Sequence, residues 1–488
     1  MPAPFFTTND SEIIRLEGLY VKERNPPAQI SGVFLGVIGV VGEAIRGPVD
    51  KPIEITSEGR FREVFGGRDQ GSGGAISSPM WKALANKPFG KLVCVRAAAA
   101  AAVAATHTFA DATPTNILRV DATSVGSWGN NVTIDIVVPS TDAVSGRFDL
   151  KATYLGKSYV YKNLDLTGSN DNTLSVIGSD DGNVIKVTKL NSGTPIAAAA
   201  VALSTGADGT VADSDFTATA RGLNVLNAQK GLGAIFIAER SSSALKSVMA
   251  TLAAGASDRL YLMGADSETV SISTASTEVA TLRSDRIVYC YNHVYTIDHE
   301  TATEMLTSPV SWMASILSQI DIDIHPGEED TKKFTAGITR LYQPGLVRED
   351  YISLKNAGIC ALEEDDGFAF VSGVTTSLVS GKEQITRRRM ADYIQQSLAK
   401  SLKFVVKKKN VQSRKEAIAS MSDDFLGDLK KGERVVANFA VDMNALNTSA
   451  QQAAGIVKAL VRVQLISHIL ELVLETEIGT SVQIKEAA

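Results

Sequence analysis

Apolar residues fall at helical spacing over residues 382–402. Met390, Ile394, Leu398 and Leu402 recur every four positions, and Tyr393 widens the stripe. This predicts a helix with one apolar face and with Asp392, Gln396, Lys400 and Lys403 turned away from it. A second helix is expected from Ser413, whose hydroxyl would cap the first turn while Glu416 answers from the reciprocal position. Ile418, Met421, Phe425 and Leu429 form its predicted buried face. Lys430 and Lys431 suit the negative helix end, and Gly432 suits a left-handed terminus. The period then changes to two. Val435, Ala437, Phe439 and Val441 share one face, and Val461, Val463 and Leu465 another. Leu470, Leu472, Leu474 and Ile478 form a third such set, opposite Glu471, Glu475 and Glu477. This last strand either completes its own sheet or adds to the sheet edge of another subunit.

The chain before residue 382 carries two further textures. Ile14, Leu16, Leu19 and Val21, around Gly18, predict an irregular strand, and Asn25-Pro26-Pro27 disconnects it from the rest of the chain. Residues 33–41 are almost continuously apolar, as in a strand buried on both faces. A strand at 53–56, short helices near Phe61 and Trp81, and a strand at 91–96 come next. Residues 97–105 are mostly alanine and sit where a linker belongs. Thr, Ser, Asn, Asp and Gly then dominate, with short alternating runs at 132–137, 159–161 and 184–187. Residues 197–201 and 206–209 mark the way out. From Phe216 apolar strands (234–238, 260–263, 287–291, 358–362) alternate with helices (244–253, 310–320). The pattern predicts an α/β domain interrupted by a β-rich one.

A length of 488 residues allows roughly three domains. The net charge of −6 does not mark the whole chain as a polyanion binder. Cys94, Cys290 and Cys360 lie far apart, which fits a reducing compartment rather than a disulfide framework or a zinc site. No basic-then-apolar leader opens the sequence, and no apolar run reaches a membrane span of ~18–20 residues.

The usual catalytic patterns each break at a required position. His299-Glu300 begins like a zinc motif, but Thr303 stands where the second ligand belongs. Gly156-Lys157-Ser158 ends like a phosphate loop, yet Lys151 replaces its first glycine. Gly32, Gly36, Gly39 and Gly42 lie in and at the end of a strand, without a helix to aim amides at a phosphate. No Gly-x-Ser-x-Gly elbow occurs. Of the five histidines, His468 reads as a polar residue in a turn, and Glu363-Glu364-Asp365-Asp366-Gly367 as a solvated acidic hairpin turn. Neither a catalytic constellation nor a cofactor or metal site is expected. One segment stands out electrostatically. Residues 382–415 hold eleven Lys or Arg against two acidic residues. Arg387, Arg388 and Arg389 sit near a helix start that disfavours cations, and Lys407, Lys408 and Lys409 crowd a loop. An acidic partner or plain solvation would account for them; no aromatic residues interleave with the loop to stack nucleic-acid bases.

Arg388-Arg389-Met390-Ala391-Asp392-Tyr393-Ile394-Gln395-Gln396-Ser397-Leu398, the helix after it and the closing strands resemble the C-terminal domain of contractile tail sheath proteins. Gly47-Pro48 and Phe65-Gly66-Gly67 are similar to that family's N-terminal segment, and Ser127-Trp128-Gly129-Asn130 to the opening of its inserted domain. The resemblance implies an α/β and α+β multidomain fold. An N-terminal arm (1–24) would precede a central α/β domain (25–100 and 211–372) with an inserted β-rich domain (101–210). A C-terminal α+β domain (373–468) and a C-terminal strand arm (469–488) would complete the chain.

The implied role is that of a structural, non-enzymatic subunit of stacked hexameric rings around a tail tube, in a virion tail assembled in the bacterial host cytoplasm. Its partners would be further copies of itself, the tube protein, and baseplate and tail terminator proteins, with neither nucleic acid nor a stable membrane insertion. Ile14, Leu16, Leu19, Val21, Leu470, Leu472, Leu474 and Ile478 would pair between subunits. Arg387–389 and Lys407–409 would face the tube. Another polymerising tube or surface-array protein, or an α/β enzyme of unknown type, remain the alternative readings.

Overall fold

The computed structural model describes residues 30, 32–67, 78–138, 146–167, 173–177, 184–299, 301–432, 435–443, 445–448, 451–452 and 454–470. The chain divides into two compact units. Val33–Gln396, rejoined by the residues from Ser467 on, forms one, and Ser397–Ile466 belongs to the other. The division falls inside the helix Ile385–Ser401. Ile14, Leu16, Leu19, Val21, Leu472, Leu474 and Ile478 lie outside the described residues; Leu470 lies within them and is exposed.

The larger unit is built on an eight-stranded sheet. Its order is Phe368–Phe370, Ile359–Glu364, Ile287–Tyr291, Leu260–Gly264, Ala234–Ile237, Ile38–Gly42, Leu92–Arg96, Ile53–Ile55. The six inner strands run parallel, and each edge strand is antiparallel to its neighbour. Parallel strands covered on both faces need apolar residues at consecutive positions, which is why these segments read as unbroken runs. Alternate residues enter opposite cores. Leu260, Leu262, Val288 and Cys290 join Trp81, Trp312 and Phe61 on one face, while Tyr261, Met263, Tyr289 and Tyr291 join Phe216, Leu245 and Val279 on the other. Serines start many of the covering helices. Ser57, Ser242 and Ser271 accept the N–H of Arg60, Leu245 and Thr274, and Ser78 and Ser308 precede Pro79 and Pro309.

The expected strand at 33–41 forms only as Ile38–Gly42. A three-stranded sheet of Thr303–Thr307, Val294–Asp298 and Ile338–Leu341 has no counterpart among the elements expected from sequence. Its burial is only partly alternating, so its period is weak.

Between Leu92–Arg96 and Asp213–Thr217 the chain forms a β structure of two sheets. One has the order Ala198–Ala202, Thr133–Val137, Arg147–Tyr154, Lys157–Asp165, and the other Thr106–Ala110, Asn116–Ala122, Ile185–Lys189. Trp128, Phe148, Leu150, Ile117 and Leu118 share its core. Residues 197–201 are not an exit segment: Ala198–Ala202 is a strand of the first sheet, paired with Thr133–Val137. Alanine-rich sequence carries little strand signal of its own, and the pairing is imposed by the neighbouring strand.

In the Ser397–Ile466 unit, the helix Gln412–Lys431 packs on a hairpin of Val436–Asp442 and Leu460–Leu465. Phe425 and Leu426 are buried, and Ile418, Met421 and Leu429 are half-buried, as the stripe predicts. Both expected caps differ. The helix begins at Gln412, so Ser413 already has helical backbone and makes no capping bond; Gln412 Nε2 instead donates to Glu416 Oε1 at 3.2 Å. Gly432 ends the helix with right-handed geometry (φ −75°), its N–H bonding Asp428 O. In the preceding helix Met390 and Ile394 are buried as expected. Asp392, expected to face solvent, is buried too, because Arg286 reaches it from another part of the chain.

Candidate interaction surfaces

The arginine run is largely turned inward. Arg389 is 4% exposed, and its guanidinium donates to the carbonyls of Leu317, Ile320 and Asp321 at 3.0–3.1 Å. These carbonyls end the helix Pro309–Gln319, so Arg389 sits at the negative pole of that dipole rather than at the positive pole of its own. Burial lowers its pKa to about 10. Arg286 forms a two-pronged pair with Asp392 at 2.8 and 2.9 Å, and Arg388 bridges Asp392 (2.6 Å) and Asp285 (3.1 Å). Arg387 donates to Ser467 Oγ at 2.6 Å. Arg388 and Arg389, expected to face a tube, spend their donors on their own chain. Sequence reasoning missed Arg286 and Asp285, although the i, i+4 spacing of Arg388 and Asp392 was a readable sign of pairing.

Lys407, Lys408 and Lys409 are exposed, as expected. Lys408 Nζ lies 5.4 Å from the Phe404 ring centroid, and Phe404, Val406 and Val411 are exposed beside them. This stretch presents charge together with apolar area, a combination that solvation alone does not require.

The hairpin of Val436–Asp442 and Leu460–Leu465 is the second candidate surface. Among the described residues neither of its outer edges has a strand partner. An isolated two-stranded sheet is marginal in water, and an open edge presents a row of unpaired backbone donors and acceptors.

The described residues with chemical potential fall into separate groups. His299 contacts Glu58, Arg62 and Asn86 on the surface and packs on Trp81. Lys246, 2% exposed, is held by Asp266 and Glu278, and Tyr289 donates to Glu278. Among the described residues no group of three or more His, Cys, Asp or Glu is placed to hold a metal ion. The three cysteines are buried and free, and burial raises each thiol pKa. A cavity of about 300 Å³ lies where the ends of the strands Ile38–Gly42 and Leu92–Arg96 meet the inserted β structure, lined by Trp128, Tyr154, Arg96 and Asp208 among others. Its polar groups are used internally. Arg96 donates to Ala44 O, Gly47 O and Val125 O at 2.9–3.1 Å, and Asp208 accepts from the Ser127 N–H and hydroxyl. The lining is a joint between substructures. Among the described residues no helix is long and apolar enough to cross a membrane.

No protein-family model matches this sequence, and no curated protein sequence matches it. Solved structures with this fold include contractile-sheath proteins. The sheath tail protein of Desulfitobacterium hafniense superimposes with a TM-score of 0.61 at 15% identity, covering 92% of this chain and 100% of that one. The sheath tail protein of Listeria innocua gives 0.63 at 15% identity, covering 90% and 97%. The sheath of an extracellular contractile injection system in its contracted state gives 0.57 at 10% identity, covering 96% and 99%. The chain therefore has the contractile-sheath fold over nearly its whole length.

Proposed function

We propose that this chain is the structural subunit of a contractile tail sheath. It polymerises as stacked hexameric rings around a tail tube and shortens to drive the tube through a target cell envelope. The carrying observation is coextension: nearly the full length of this chain matches nearly the full length of sheath subunits, one of them in a contracted assembly. A match confined to the eight-stranded α/β sheet would leave an enzyme open, since such sheets host many chemistries.

In this reading the terminal segments are arms that pair with neighbouring copies, Ile14, Leu16, Leu19 and Val21 at one end and Leu470, Leu472, Leu474 and Ile478 at the other. The unpaired hairpin edges supply a place for such strands to add. Burying each large aliphatic side chain contributes ~1.5–3 kcal/mol. One arm could thus offset much of an association cost of ~4–15 kcal/mol. A second arm then docks at high effective concentration and makes the lattice cooperative. Lys407, Lys408 and Lys409 face the tube, and the baseplate and a terminator cap the two ends of the polymer.

Electron microscopy of the purified full-length protein tests the reading. Thick-walled helical tubes with a lumen wide enough for an inner tube are expected; thin tubes, flat arrays or a persistent monomer would refute it. Deleting residues 1–24 or 470–488 should leave a folded, soluble monomer. Tubes assembled from either truncated chain would reject the arm pairing while leaving polymerisation intact.

A further inference from the structure

The chain rejoins the larger unit at Ser467, and two bonds hold it there. Arg387 donates to Ser467 Oγ at 2.6 Å, and His468 Nε2 meets Asp323 O at 2.7 Å, which fixes Nε2 as the protonated nitrogen. His468 Nδ1 is buried without a hydrogen-bond partner. The His468 ring packs against that of His325, with centroids 6.0 Å apart. Two backbone amides face His325, Gly327 N–H at its Nδ1 from 3.0 Å and Gly373 N–H at its Nε2 from 3.1 Å, and the neutral ring can accept from one of them. A neutral imidazole has one acceptor nitrogen and an imidazolium has none. A proton added to His325 therefore turns an accepting ring into one whose every N–H opposes another N–H. The surroundings cannot move aside readily. A Cβ on Gly327 would lie 2.1 Å from Phe370 O, and one on Gly373 2.7 Å from Pro326.

The charged groups around the pair are not balanced in favour of a cation. Lys355, from the helix Arg348–Asn356, acts on His325 with the same sign as a protonated His468. The acidic groups on the same loop, Asp321 and Asp323, interact with the buried Arg389. Burial, His468 and Lys355 together lower the His325 pKa to about 4.

We propose that His325 and His468 form an acid-released clamp on the root of the C-terminal segment. At neutral pH the uncharged His325 ring packs on His468 and keeps residues 467–470 on the larger unit; protonation of His325 drives the rings apart. The sign comes from linkage. The free imidazole of an opened clamp binds a proton near pH 6.5, and the clamped one resists until about pH 4. The closed state is thus fully favoured above the first value and loses ground as pH falls toward the second. The clamp is a property of the subunit and stands whether or not the chain forms a sheath. If it does, acid frees the base of the arm without unfolding the α/β sheet.

Hydrogen exchange of the full chain, measured by mass spectrometry and corrected for intrinsic rates, tests this. Between about pH 7.5 and about pH 5, protection of residues 460–470 should fall roughly tenfold or more. The strand Ala234–Ile237 should keep its protection. In His468→Gln the side-chain amide can still donate to Asp323 O but the ring contact with His325 is lost, so the step should shrink. In the double variant with His325→Gln the step should vanish. Constant protection in the wild type overturns the clamp, as does an undiminished step in His468→Gln. Should His325→Gln fail to fold, the ring-proton titration of His325 in the wild type decides instead. An apparent pKa at the ordinary 6.5 with residues 460–470 still protected refutes the proposal.

Discussion

Asp392 shows how one carboxylate can organise a neighbourhood. Arg286 is 7% exposed and Asp392 2%, so neither charge has water to fall back on. Replacing Asp392 by Ala strands a buried guanidinium, and such losses cost roughly 3–5 kcal/mol. Urea denaturation should show the midpoint drop, with Asp392→Asn falling less because its amide oxygen still accepts a bond. Gly233 is constrained for a different reason. A Cβ there would sit 1.7 Å from Leu35 O, a backbone atom that cannot rotate out of the way. Gly233→Ala should therefore destabilise the larger unit by ~1–3 kcal/mol or more, read as a lowered melting temperature. The contrast with Arg389 is instructive. Its charge is tolerated at 4% exposure because three carbonyls replace the lost water.

In the helix Gln412–Lys431, which packs on its hairpin, Leu426 is fully buried. Leu426→Ala should cost ~2–5 kcal/mol. The loss should be local, with exchange protection falling across Val436–Asp442 and Leu460–Leu465 while Ala234–Ile237 is unchanged. A simultaneous fall in both would mean that the two compact units unfold as one. The Lys407, Lys408 and Lys409 loop makes a separate prediction. Reversing all three to Glu should weaken docking on a tube more than assembly of empty sheath, measured by co-sedimentation and by microscopy. Equal loss of both would reject a tube-specific role. Because such contacts are screened over ~10 Å at 0.1 M salt and ~3 Å at 1 M, docking should also weaken as salt rises.

At the scale of the whole molecule, the chain has the contractile-sheath fold over nearly its whole length. The titratable groups with large shifts, such as Lys87, Arg96 and Tyr289, are shifted first of all by burial inside a packed scaffold. Among the described residues these three lie in different places. A working sheath needs durable contacts in one layer and exchangeable contacts in another. If the chain forms a sheath as proposed, its two compact units offer separate places for those two kinds of contact.

The sequence by itself determined the elements whose periods are strong. The buried parallel strands were legible because consecutive side chains must reach one core or the other, and the stripe of Met390 and Ile394 and the face of Phe425 because about one side chain in four must. It also carried the order of elements that resembles sheath proteins. Only the tertiary structure decided where isolated charges go. Asp392 reads as a solvent-facing residue until Arg286 arrives from more than a hundred positions away, and Arg389 reads as misplaced on its own helix until the end of another helix receives it. The strand at 198–202 and the pairing of His325 with His468 were hidden for the same reason. Periodicity reports whether a residue is buried, whereas the partner that makes burial of a polar or weakly patterned residue tolerable is set by contacts between distant parts of the chain.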